Sequence, residues 1–348
     1  MKYFKFNISI FLLTFFSFNL KAQDPQFTQY FAAPIYLNPA FTGDGDKWRV
    51  GTSYRSQWNA LDNHFVSNSV YADVYDGSIS SGFGIIVNHH KEGLLNLSST
   101  DIGLSYAYDL KISDDNSRSN NDTHFKMGAQ FSSYRKSLDF NKLVFGSQID
   151  IDNGIINAFS GESLNREQSD LFLSISAGVL LYKEKWWLGA SLHHINEPNQ
   201  SFLTGSENLL RQKMSVHGGF RASLGKGPRS KRLSGNLVRD LNFNFNYRAQ
   251  GGFSQLDFGL QAFLEPFIVG LSYRGIPIKK VEEIFNNESI ALMTGLKLNG
   301  GITFGYSYDI TLSNLSGSTN GSHEISFSLA WGRQKKSFQR LRCPKGQL

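Results

Sequence analysis

The sequence predicts an all-β fold: a transmembrane antiparallel outer-membrane β-barrel of about fourteen strands with an N-terminal plug-like segment. Three observations predict it. First, apolar residues alternate with polar ones at a period of two, as in Leu241, Phe243, Phe245 and Tyr247 against Asn242, Asn244, Asn246 and Arg248. Alternate residues of a strand face opposite sides of the sheet, so each segment has one apolar and one polar face. Second, the alternating segments run for about 9–13 residues, the length a tilted strand needs to cross a bilayer, whereas soluble sandwich strands are nearer 5–6. Third, Trp48, Trp58, Tyr75, Trp186 and Trp331 gather at segment ends, where an interfacial girdle belongs. The polar faces mix both charge signs with Asn and Gln, unlike the packed core between two soluble sheets.

The elements follow in chain order. Lys2 and Lys5 precede an apolar stretch from Phe6 to Leu20, and Ala22 precedes Gln23. This is the form of a signal peptide over 1–22, cleaved after Ala22, which places the mature chain outside the cytoplasm. Residues 23–47 hold Phe27, Tyr30, Phe31, Tyr36 and Phe41 among Pro25, Pro34 and Pro39. The prolines oppose a regular helix or central strand, and so many aromatics are unusual in a disordered arm. This segment is therefore expected in the lumen or across its periplasmic mouth. Strands are expected over 48–332, near 48–58, 65–76, 82–90, 100–111, 123–136, 170–182, 185–194, 211–224, 238–250, 254–264, 267–274, 289–298, 301–311 and 323–332. Long connections at 137–169, 195–210, 275–288 and 312–322 follow odd strands, and tight ones at Asp76-Gly77, Lys183-Glu184, Glu265-Pro266 and Asn299-Gly300 follow even strands. That parity puts the long loops outside and both termini in the periplasm, with 112–122 and 225–237 as exceptions.

Charge excludes one class of function. The formal net charge is +6. Lys2, Lys5 and Lys21 carry three positive charges, and Arg333, Lys335, Lys336, Arg340, Arg342 and Lys345 carry six, with no acid at either end. Removing these nine from +6 leaves −3 for residues 23–332. The basic character sits at the ends, so no basic nucleic-acid face is expected. A mean hydropathy of −0.29, and no apolar run after residue 22 near the roughly 18 residues a spanning helix needs, exclude a polytopic helical protein. The single cysteine, Cys343, excludes an intrachain disulfide and a Cys-cluster zinc site.

Catalytic and metal signals are weak. No Gly-x-Ser-x-Gly elbow occurs, and no His has a Ser two residues later. The members of His89-His90 and His193-His194 should point to opposite faces of a strand and so cannot share a metal. Asp150-Ile151-Asp152-Asn153-Gly154 reads as turn chemistry rather than a calcium loop. Neither a cofactor nor a catalytic residue is expected. The polar faces offer Arg49, Arg55, Lys126, Arg221, Arg248 and Arg274 with Asp109, Asp257, Glu265 and Asp309 as lumen charges. These either pair to rigidify the barrel or line a polar conduit. The basic tail at 333–348, with Lys226, Arg229, Lys231 and Arg232, could dock an acidic periplasmic partner or anionic headgroups.

The chain ends carry motifs. The mature start reads Gln23-Asp24-Pro25-Gln26-Phe27-Thr28-Gln29-Tyr30, then Leu37-Asn38-Pro39-Ala40-Phe41-Thr42-Gly43. Tyr54-Arg55-Ser56-Gln57-Trp58, Tyr306-Ser307-Tyr308-Asp309, Ser322-His323-Glu324-Ile325-Ser326 and Cys343-Pro344-Lys345 follow. Together they resemble the PorP/SprF family of type IX secretion system outer-membrane proteins from Bacteroidetes. The resemblance implies a non-enzymatic barrel beside the main translocon and its periplasmic components, set in outer-membrane lipid. It implies a dedicated cargo too, such as a large gliding-motility adhesin with a type B C-terminal domain. Gln23, Asp24, Pro25, Phe27, Gln29, Tyr30, Asn38, Pro39, Ala40 and Gly43 are then candidate contact residues. The alternative is an outer-membrane channel for a small solute.

Overall fold

The computed structural model describes residues 23–332, apart from 45–47, 62–63, 94–96, 114–121, 139–143, 145–147, 151–154, 157–168, 203–206, 226–228, 231–234, 237–238, 282–283, 299 and 314–315. Residues 1–22, the expected signal peptide, with Cys343, the basic tail (Arg333, Lys335, Lys336, Arg340, Arg342, Lys345), most of the Asp150–Gly154 stretch and Lys226, Lys231 and Arg232, lie outside the described residues.

Fourteen antiparallel strands close on themselves. They are β1 Trp48–Gln57, β2 Phe65–Asp76, β3 Ser81–Glu92, β4 Leu97–Ser113, β5 Thr123–Ser137, β6 Ser169–Tyr182, β7 Trp186–His193, β8 Lys213–Ser223, β9 Arg239–Gln250, β10 Phe253–Leu264, β11 Phe267–Val281, β12 Ile284–Lys297, β13 Ile302–Thr311 and β14 Ser322–Trp331. Each strand pairs with its sequence neighbours, and β14 pairs with β1 over the whole length of both, from Trp48 against Trp331 to Gln57 against Ser322. Closure leaves no free edge, so every strand's backbone groups can be satisfied inside a bilayer. Among the described residues no helix is long and apolar enough to cross a membrane.

The alternation turns apolar side chains out and polar ones in. On β4, Ile102, Leu104, Tyr106 and Tyr108 are exposed, and the intervening Asp101, Ser105, Ala107 and Asp109 are buried. Leu104 at 65% and Leu171 at 70% exposure would be anomalous on a water-soluble surface and are ordinary against acyl chains. Trp48 stacks on Trp331 across the seam, with ring centroids 6.4 Å apart. The two ends of the barrel differ. One end carries tight turns such as those after β2 and β6 together with the start of β1 and the end of β14; the other carries the long connections after β5, β7 and β13. They are called here the short-turn end and the long-loop end.

Two strand boundaries depart from the sequence reading by five residues or more. β11 continues past residue 274 to Val281, and β12 begins at Ile284 rather than near 289. Register shifts at Arg274/Gly275 and Ile276/Lys280 let the hairpin continue through a stretch whose alternation is broken. Gly275, at φ 145, supplies the backbone freedom.

The outward apolar band makes a direct prediction. Leu104→Arg, placed midway along β4, should lower folding stability in lipid vesicles by about 2–4 kcal/mol in guanidine titrations. An unchanged midpoint would contradict a lipid-facing Leu104.

Candidate functional site

A barrel of eight strands can be filled by its own side chains, whereas one of 16–18 leaves a channel. Fourteen strands enclose a lumen between those limits, and here residues 24–43 make their contacts with its inward-facing side chains. Phe27, Gln29, Ile35, Asn38, Ala40 and Phe41 are all at or below 1% exposure. The segment starts at the long-loop end beside His194, Lys213 and Gln250 and finishes at the short-turn end beside Val74 and Gly82. It therefore runs the length of the wall before β1 begins. The prolines do not exclude helical turns. Pro34 opens a one-turn helix, Pro34–Leu37, and Pro39 opens a 3-10 turn, Pro39–Phe41, each at a first-turn position where a missing N–H costs nothing.

Four sets of contacts tie segment to wall. At the long-loop end the Asp24 carboxylate meets His194 Nε2 and Lys213 Nζ, both at 2.8 Å. Burial works to raise the Asp24 carboxyl, but Lys213 and His194 outweigh it and hold it well below the usual carboxylate range. Lys213 also lies 4.6 Å above the Tyr36 ring, and the Tyr36 hydroxyl donates to Pro25 O at 2.7 Å.

The second set is a charge network. Glu324, fully buried, accepts the Thr28 N–H at 2.6 Å and the Gln29 N–H at 2.9 Å. Thr28 Oγ1 donates to Asp309 at 2.6 Å and accepts from Arg55. Arg55 pairs with Asp309 at 2.7 Å and reaches Glu324 at 3.4 Å. From Asp309 the network continues to Arg274 at 3.4 Å, to Asp257 at 2.9 Å and to Arg248 at 2.9 Å. The Gln29 side chain donates to Ser307 Oγ and Glu324 O and accepts from Ser326 Oγ at 2.7 Å. Buried charges require partners, and each of these has one.

The third set holds the 3-10 turn. Asn38 Nδ2 donates to Val179 O at 3.0 Å and Ala190 O at 3.2 Å, while its Oδ1 accepts the Ala40 N–H at 2.8 Å. Tyr30 donates to Asn244 Oδ1 at 2.7 Å, and Ser191 Oγ donates to Leu37 O at 2.8 Å. The wall gives way here by losing side chains. A Cβ on Gly178 would stand 1.9 Å from Asn38 Oδ1, and one on Gly128 would stand 2.4 Å from Ala40 N. At the short-turn end, Asp73 binds both the Gly43 N–H at 2.7 Å and Arg49 at 2.6 Å, and Lys126 Nζ donates to Thr42 O at 2.7 Å.

Of the lumen charges read from the sequence, Arg55, Arg248, Asp257, Arg274 and Asp309 form one network. Arg49 lies apart with Asp73. Asp109 joins His124 at 3.0 Å and Tyr182 at 2.9 Å. Arg221 bonds Glu184 O at 3.2 Å near the short-turn rim, and Glu265 pairs with Lys297 at 2.8 Å. Among the motif residues Gln23 is exposed, and the others from Asp24 to Gly43 make the contacts above or pack beside them. Alternation alone does not mark Glu324, Thr28 or Asp73 as site residues, although Thr28 and Glu324 stand inside the terminal motifs.

One expectation is corrected. His89 and His90 do face opposite ways, but His193 and His194 are both buried inward, at 6% and 1% exposure. β7 ends at His193, and His194 takes a left-handed φ of 56, which turns its ring back to Asp24 and Ser174. Among the described residues no three His, Cys, Asp or Glu side chains form a group that could hold a metal.

The family profile described as "Type IX secretion system membrane protein PorP/SprF" matches residues 19–329, the barrel and its lumen segment together. The chain belongs to the PorP/SprF family. No curated protein matches the sequence. Among solved structures, this PorP/SprF barrel aligns with a mutant Rh. blastica porin at 6% identity, covering 82% of this chain and 99% of the porin, with a TM-score of 0.33. It aligns with BamA from Haemophilus ducreyi at 9% identity over 82% of this chain and 70% of that one, TM-score 0.40. The translocator domain of autotransporter NalP from Neisseria meningitidis gives 8%, 83% and 90%, with 0.30. PorP/SprF proteins are outer-membrane components of a secretion system, not an enzyme family.

Two substitutions should loosen the segment in this PorP/SprF barrel. Glu324→Ala removes two charge-assisted hydrogen bonds of about 1.5–3 kcal/mol each. Gly178→Leu forces Asn38 from its place. Both should speed proteolysis within 23–44 while the barrel band stays heat-modifiable on gels. Trimming at the wild-type rate in both would contradict the contacts.

Proposed function

We propose that this chain assists the secretion or surface anchoring of one dedicated cargo, such as a large gliding-type adhesin with a type B C-terminal domain, without catalysing any reaction. In this reading, residues 1–22 are a signal peptide cleaved near Ala22, 48–332 the barrel and 23–47 a plug held in the lumen. The long-loop end faces outside. The tail at 333–348 lies in the periplasm, where Arg333, Lys335, Lys336, Arg340, Arg342 and Lys345 dock secretion components.

The observation that carries the reading is the burial of residues 24–43 against the wall of a barrel that belongs to a secretion family. A general solute pore would gain nothing from a lumen threaded end to end by its own chain. A secretion accessory needs a barrel that does not leak, and a surface for its cargo. A cleft at the long-loop mouth, lined by Asp24, Phe27, Tyr36, Arg248 and Phe253, supports a contact surface for cargo there.

Deleting the gene should remove one adhesin from the cell surface and leave other type IX cargo in place, as read by surface proteomics. Unchanged surface proteins with altered solute uptake would instead support a small-solute channel. Deleting 333–348 should abolish crosslinks to periplasmic secretion components, and unchanged crosslinks would count against docking by the tail.

A further inference from the structure

At the long-loop end the outward face of β2–β5 breaks the apolar band. Strand register sets the break in two rows. Asn68 pairs with His89, His89 with Thr100 and Thr100 with Arg135. Two residues nearer the loops, Val66 pairs with Lys91, Lys91 with Ser98 and Ser98 with Ser137. His89, Lys91 and Arg135 are exposed, and the alternating neighbours Asn88, His90 and Asp101 are buried toward the lumen. No carboxylate stands in either row. Glu92 and Asp101 both belong to the inward set.

The height of these cations in the bilayer decides their meaning. Arg135 pairs directly with Leu171, which is 70% exposed on the lipid side. Val87, Ile102 and Phe131 lie just below on the same face. The guanidinium thus leaves the barrel where the adjacent strand still presents leucine to acyl chains. A cation at that level needs a headgroup anion or must snorkel away from the membrane. β3 and β5 are separated by one strand, about 10 Å, and Lys91 stands two residues, about 7 Å, nearer the loops than Arg135, so the two positions are about 12 Å apart, which two long side chains can span. The arginine fork matches phosphate oxygens, and lysine adds a point charge. His89, on the strand of Lys91 and in the row of Arg135, is fixed, its Nδ1 2.8 Å from Thr100 Oγ1. Among the strand residues whose side chains are described, no other lysine or arginine leaves the wall on the lipid side at this end. Arg239 does so at the short-turn end.

We propose that Lys91 and Arg135, with His89 beside them, bind the phosphate group of an anionic lipid in the leaflet at the long-loop end. The site fixes one lipid against β3–β5 and so fixes the barrel's height and rotation in the membrane. It is independent of the cargo reading, since it uses only the outer wall.

The test uses the full chain reconstituted in phosphatidylcholine nanodiscs doped with dioleoyl phosphatidic acid, whose headgroup is a phosphomonoester. Lipid retained after mild detergent extraction is read by native mass spectrometry. The wild type should retain phosphatidic acid over phosphatidylcholine, and excess inorganic phosphate should not displace it. The double variant Lys91→Ser/Arg135→Ser should bind about 30-fold more weakly, about fivefold per cation. Lys91→Arg should retain binding, and Arg239→Ser should leave it unchanged. Heat-modifiable mobility verifies folding of each variant. Equal retention by the wild type and the folded double variant would overturn the proposal. So would full displacement by inorganic phosphate, which would mark a site for a free anion.

Discussion

The Glu324 carboxylate is the point on which the rest of the structure depends. It stands on the last strand, directly opposite Arg55 on the first. Its oxygens take the backbone N–H groups of Thr28 and Gln29. One buried side chain thus touches both strands of the closing seam and the segment inside. Replacing it would leave Arg55 with Asp309 as its one carboxylate partner and strand two amides away from water, the costly half of any buried hydrogen bond. Barrel closure and placement of residues 24–43 are therefore one constraint rather than two.

The wall is built to receive that segment. Where Asn38 and Ala40 pass, it carries glycine at Gly178 and Gly128. Where the segment presents backbone carbonyls, it carries donors, as Lys126 does to Thr42 and Ser191 to Leu37. Where the segment presents N–H groups, it carries carboxylates, as Asp73 and Glu324 do. Such complementarity along the whole path is costly to a wall that had only water to face, because buried polar atoms need partners. It is the physical basis for reading the lumen as occupied.

The sequence made the strands legible and the network much less so. Period-two alternation located all fourteen strands, because in lipid each strand must show one apolar and one polar face along its length. It failed at β11 and β12, where register shifts break the pattern around Gly275. The charges were visible as a set, but their partners depend on register. Arg49 opposite Asp73, Asp257 opposite Arg274 and Arg55 opposite Glu324 follow from strand pairing alone. The last of these requires knowing that strand fourteen meets strand one. His194 escaped because a single left-handed residue reverses a side chain, and alternation cannot register that. The contacts of residues 24–43 with the wall were out of reach, since most join positions from 30 residues apart, as Gly43 and Asp73, to 296 apart, as Thr28 and Glu324, or depend on a glycine's missing side chain.

Conductance tests the central claim most directly. Purified protein in a planar bilayer should pass almost no ion current, whereas a variant lacking residues 24–43 should open steps of the size expected for an unobstructed fourteen-strand barrel. A wild-type conductance equal to that of the deletion variant would contradict a lumen closed by its own N-terminal segment.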